Sequence, residues 1–265
     1  MIVFGAVHFC RLNLRERPDV AVRALAELNV AGRSSPVTFQ GMLAGTDKFT
    51  RLTKVTDNAQ VQLAVDLRAG VYSSLLAFWG SRNQPDASLS LDAGIAPENA
   101  EVMQAVQYTT NCSDPTDVER AEQVSIRLWS LLNPTYGFSV LGASDTAVQQ
   151  ELSGVPIRTW NAPRNEREEN RLTRLQAARP LLGQFVRGAA WGTFLGHPLV
   201  ARLGGLEAVR QRAPVYTVQE LETGGAYLRL TQAPLLLGTP EYEGAAMRLE
   251  EFLEPVMPDM LKELA

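Results

Sequence analysis

The sequence predicts an α+β fold in which a mostly antiparallel mixed sheet carries helices packed on it. Three observations predict it. Short runs with strand-like alternation recur along the chain, and amphipathic helical runs interrupt them. The two kinds follow no regular βαβ rhythm, which argues against a parallel, doubly wound sheet. With 45 % hydrophobic and 20 % charged residues among 265, the chain can form a proper core.

The elements follow in chain order. The opening MIVFGAVHFC is an apolar run with no basic residue ahead of it, unlike a secretory signal, and reads as a buried first strand. PDVAVRALAELN, from Pro18, places Val22, Leu25 and Leu28 on one side of a helix. SPVTFQGM alternates through Val37 and Phe39 as a strand. In VQLAVDL, residues 61–67, Val61, Leu63, Val65 and Leu67 alternate with Gln62, Ala64 and Asp66, which predicts a half-buried strand. VYSSLLAFW, ending at Trp79, loses the alternation, so strand and short helix stay open there. ASLSLDAGI alternates again through Leu89 and Leu91.

SDPTDVER, from Ser113, supplies a cap, a first-turn proline and early acids for a helix over 113–132. Its stripe is Val118, Ala121, Val124, Leu128, Leu131 and Leu132. TPEYEGAAMRLEEFLEP predicts a last helix with Ala246, Leu249 and Leu253 on one face, between Pro240 and Pro255.

Residues 155–180 are the most polar stretch and predict a helical connector. Arg158, Arg164, Arg167, Arg171, Arg174 and Arg179 interleave there with Glu166, Glu168 and Glu169, which suits a self-neutralised, solvated helix. An α+β half over 1–154 and a second over 181–265 would flank it. Trp79-Gly80 and Trp191-Gly192 each precede strand-rich sequence, a faint echo that would make the halves similar in plan.

The formal net charge of −4 disfavours a general polyanion-binding role. Lys48, Lys54 and Lys262 are the lysines and every other Lys/Arg position is arginine; the arginines are scattered rather than patched. Cys10 and Cys112 make no disulfide framework. No apolar stretch approaches the ~20 residues that span a bilayer. A cytoplasmic protein with reduced thiols is the expectation, with no membrane and no nucleic acid among its partners.

A search for chemistry finds no gathered set. His8 and Cys10 would share a face of the first strand, but a zinc site needs three or four converging ligands. Both read as packing residues, free cysteine being usually a small buried hydrophobe. TTNCSDP around Cys112 reads as a cap and turn before a helix, not as a nucleophile with its base. GFSVLG falls short of a nucleophile elbow because Leu141 stands where the second glycine must be. No GxxxxGK[ST] or GxGxxG pattern occurs. The sequence therefore predicts no catalytic residues, no metal and no cofactor. A pair of carboxylates in a cleft between the halves, as in a hydrolase, stays open as an alternative.

The densest small-residue stretch is VRGAAWGTFLGHPLVARLGG, residues 186–205. Phe185 to Phe194 predicts a strand or tight segment whose glycines admit a second backbone. His197-Pro198 starts a helix that Gly204-Gly205 ends, and LEAVRQR forms a second short helix. VYTVQEL and AYLRLTQ then pair as a hairpin through Glu222-Thr223-Gly224-Gly225. Trp191, Gly192, Gly196, Gly204, Gly205, Gly224 and Gly225 are thus structural candidates.

The ordered set Trp191-Gly192, Leu195-Gly196, Leu203-Gly204-Gly205, Gly224-Gly225 and Leu230 to Pro234 resembles the C-terminal part of a bacterial family of immunity proteins linked to type VI secretion. The resemblance covers the last third of the chain and rests on glycines and apolar positions, which specify a backbone rather than a chemistry. It implies a non-catalytic antidote whose partner is a cognate secreted toxin. From Ala213 to the end there are nine carboxylates, Glu220 to Glu263, against Arg229, Arg248 and Lys262. Those acids form either a face suited to a basic nuclease toxin or an ordinary solvated helix. An assembly protein of a phage or secretion particle is a further alternative.

Overall fold

The computed structural model describes residues 2–11, 13–29, 38–81, 84–92, 104–153 and 184–258. The polar connector expected over 155–180 lies outside them. The chain divides into two compact units, Val7–Asn133 and Met1–Ala6 with Pro134–Ala265. Strand β1 (Ile2–Cys10) gives its first half to the C-terminal unit and its second half to the N-terminal one.

The N-terminal unit contains α1 (Pro18–Asn29), β2 (Thr38–Leu43), β3 (Thr53–Lys54), α2 (Asp57–Arg68), β4 (Tyr72–Ser81), β5 (Gln84–Asp92), β6 (Gln104–Cys112) and α3 (Pro115–Leu132). Its strands lie in the order β3-β2-β4-β5-β6-β1. The pairs β2·β3, β2·β4, β4·β5 and β5·β6 are antiparallel. The open stretch at 71–79 belongs to β4, where Leu75, Ala77 and Trp79 are buried. Helix α3 begins as its sequence directs, the Asp114 carboxylate accepting from the Asp117 N–H at 3.0 Å. It ends on Asn133 in the left-handed conformation, and Val118, Ala121, Val124, Leu128 and Leu132 are buried. Helix α1 packs against α2 and α3.

One expectation is overturned: VQLAVDL is not a strand but the body of α2. The Thr56 hydroxyl caps this helix by accepting from the Ala59 N–H at 3.3 Å. Leu63 and Leu67, four apart, face inward, whereas Val61 and Val65 are 67 % and 51 % exposed. Period two had placed all four on one face. A helix splits them, because i and i+4 lie together while i+2 lies on the far side.

The C-terminal unit contains β7 (Tyr136–Gly142), α4 (Asp145–Ser153), β8 (Gly192–Leu195), α5 (His197–Arg202), α6 (Leu206–Arg212), β9 (Thr217–Glu220), β10 (Ala226–Arg229) and α7 (Pro240–Leu253), closed by a 3-10 turn at Glu254–Val256. Strand order is β1-β7-β8-β10-β9, with β8 antiparallel to both β7 and β10. Every residue of β7 is buried, and the hairpin of β9 and β10 forms in antiparallel register. The segment before β8 is irregular, with Val186 N–H donating to the Val256 carbonyl at 2.9 Å. The α+β class with an antiparallel sheet is as the sequence predicts.

Candidate interaction surface

The Trp-Gly segment and the hairpin turn meet around β8. Trp191 is fully buried, its ring edge-on to Phe4 with centroids 6.5 Å apart. The Arg229 guanidinium lies 5.0 Å from the centre of the indole. Gly192 sits opposite both Ser139 and Arg229. A Cβ there would come within 2.2 Å of Ser139 Oγ and 2.8 Å of the Tyr227 ring, so the close approach of three strands requires glycine. Gly196 donates to the Thr135 carbonyl at 2.9 Å and opens α5. Gly204 and Gly205 join α5 to α6, and Gly205 N–H donates to the Val200 carbonyl at 2.9 Å. Gly224 lies in the hairpin turn against His197, and Gly225 against the Leu195 carbonyl.

A buried polar cluster lies beside this frame, and the sequence reading missed it. Arg187 donates to the Glu151 carboxylate and, at 2.7 Å, to the Glu151 backbone carbonyl. Its guanidinium lies 4.0 Å from the centre of the Phe138 ring. Burial pushes the Arg187 pKa down and the Tyr136 phenol up to about 12. Glu250, from α7, accepts from the Ala189 N–H at 3.3 Å. Arg187 is the lone charge in the apolar run QFVRGAAWG. That was the available signal, since a charge inside such a run must find a buried partner.

His8 and Cys10 lie buried in β1. The His8 Nε2 is 3.1 Å from Ser125 Oγ, and its ring meets Trp129 edge-on at 5.7 Å. Burial lowers its pKa to about 3, the contact with Ser125 opposing this in smaller measure. Cys112 is buried at the end of β6, its thiol 3.9 Å from the Thr110 carbonyl oxygen, and neither cysteine is in a disulfide. Ser139 of GFSVLG is buried in β7. Among the described residues no group of three or more His, Cys, Asp or Glu is placed to hold a metal ion, and no helix is long and apolar enough to cross a membrane.

Helix α7 presents a charged outer face. Thr239 caps it by accepting from the Tyr242 N–H at 3.3 Å, and Pro240 occupies the first turn. Tyr242, Ala245, Ala246, Leu249 and Leu253 turn inward at helical spacing. The opposite face therefore carries Glu243, Met247, Arg248 and Glu251 into solvent. Glu207 and Glu220, by contrast, share Arg210, with nitrogen–oxygen distances of 4.0 and 3.1 Å.

Fold and surface define an α+β protein with an acidic exposed helix in its C-terminal unit. Residues 171–264 match the TsiV family model, described as type VI immunity for VRR-NUC. The resemblance read from the tryptophan and glycine pattern is thus shown for the C-terminal third. The Pseudomonas aeruginosa T6SS protein PA0821 shares the fold, with a TM-score of 0.61 and 14 % identity over 97 % of this chain and 73 % of that one. No curated protein matches the chain.

Proposed function

We propose that this chain is a non-catalytic immunity protein that binds a VRR-NUC nuclease toxin of type VI secretion and blocks it by occlusion. The observation that carries the reading is the family match over residues 171–264, which contains the whole strand, hairpin and α7 frame described above. The fold shared with a type VI secretion protein agrees with it. A stoichiometric antidote needs a rigid scaffold and a complementary exterior rather than a reactive centre. The buried Arg187, Glu151 and Tyr136, with the half-buried Glu250, serve the first requirement, and the exposed face of α7 the second.

Co-expression with the VRR-NUC toxin it is proposed to bind tests this. Cells making both should grow as cells without the toxin, and the two proteins should co-purify one to one. Unrelieved killing with no complex contradicts the proposal.

A further inference from the structure

Helix α7 carries more exposed acid than its own stability explains. Glu241 and Glu243 lie near its positive N-terminal end, where the helix dipole favours carboxylates. Glu251 and Glu254 lie at the opposite end, where the dipole disfavours them, and the last turn holds no basic residue. Among the described residues none of these four has an ion-pair partner. Elsewhere on the surface, Asp19, Glu27, Asp117, Glu207 and Glu220 are each paired with an arginine. Other exposed acids without such a pair among the described residues, such as Asp47, Asp57, Glu119, Asp145 and Glu222, stand singly on different elements rather than in a row along one helix face. Amid the acids stands Met247, 54 % exposed, with Glu243 one turn before it and Glu251 one turn after. An exposed methionine in a charged frame is the composition of an interface centre, since its flexible thioether adapts to a partner surface.

We infer that the outer face of α7 is the docking surface for the toxin, with Met247 as apolar anchor and Glu243, Glu251 and Glu254 as its charge frame. The inference rests on the proposed immunity function and names the surface and the partner chemistry. Charge complementarity selects the occupant: the cationic surface with which a nuclease grips phosphates. At ~1.5 Å per residue, Glu243 and Glu254 span roughly 16 Å of helix, enough to engage several such cations at once. A second copy of this chain fits poorly, because apposed α7 helices would bring like charges together.

The test measures binding of the full-length chain to a catalytically inactive form of the proposed VRR-NUC toxin by isothermal titration calorimetry at low and high salt. The variants are Met247→Asp and the triple E243K/E251K/E254K. All four side chains are exposed or unpaired, so circular dichroism and the melting temperature should stay close to wild type. The expected result is at least a hundredfold loss of affinity for the triple variant and at least tenfold for Met247→Asp. Added salt should weaken the wild-type complex and leave the residual binding of the triple variant little changed. Wild-type affinity in both folded variants overturns the docking surface while leaving the immunity function standing. Failure of the wild-type chain to bind the nuclease overturns both.

Discussion

The guanidinium of Arg187 is bonded twice to Glu151, once through the carboxylate and once through the backbone carbonyl, and their side chains are 8 % and 10 % exposed. This pair joins the end of α4 to the segment that leads into Trp191 and β8. Arg187→Met alone strands a buried carboxylate and should cost about 3–5 kcal/mol, read by urea unfolding. Arg187→Met with E151M should recover more than half of that loss. A single substitution costing under 1 kcal/mol contradicts the assignment.

His8 makes stability depend on pH. Its folded pKa, about 3, lies below the ordinary imidazole value of 6.5, so the unfolded chain takes up the proton first. Its contribution is therefore fully present above pH 6.5 and is lost as pH falls toward 3. Between pH 7.5 and 5 the loss should be about 2 kcal/mol. In His8→Gln, which can still bond Ser125, the pH dependence over that window should shrink by about this amount. An unchanged slope contradicts a buried neutral imidazole.

Two glycines separate backbone strain from steric exclusion. Gly205 has φ +91° and open space around it, so Gly205→Ala is strained in the backbone alone and should cost about 1–2 kcal/mol. A Cβ at Gly225 would stand 2.4 Å from the Leu195 carbonyl oxygen. A carbonyl of the sheet cannot step aside, so Gly225→Ala should cost more, about 2–3 kcal/mol, and loosen the contact of turn and β8. Thermal melts of the two variants check the order, and the reverse order contradicts it.

On α2, Val61→Lys with V65K should be neutral or stabilising by up to about 1 kcal/mol, because exposed valine is a poor helix former. In a half-buried strand the same pair of changes would bury two ammonium groups and unfold the unit. Chemical denaturation of the double variant distinguishes the two.

That segment also shows where sequence reading reaches its limit. The helices with explicit ends were legible: Asp114-Pro115 before α3, Thr239-Pro240 before α7, and His197-Pro198 through Gly205 for α5. So was the hairpin, because Gly224-Gly225 marks its turn. VQLAVDL misled because four apolar residues at period two satisfy a strand face, and also an inward Leu63/Leu67 pair with two exposed valines. Only the cap at Thr56 decides between them. The Arg187–Glu151 pair was not legible, since 36 positions separate its members. The glycines and Trp191 were visible as a pattern, yet the strands they bring together appear only in the fold. The acid surplus near the C-terminus was readable as composition. Which acids face solvent without a partner depends on where α7 buries Tyr242, Ala246 and Leu249.

The central claim is that this protein acts by covering a nuclease. The most direct measurement titrates the purified chain into the purified VRR-NUC toxin it is proposed to bind and follows plasmid cleavage. Cleavage should fall linearly and vanish at one equivalent, with the nuclease recovered intact from the complex. Undiminished cleavage in the presence of several equivalents, or loss of cleavage through chemical modification of the nuclease by catalytic amounts of the chain, would contradict the account.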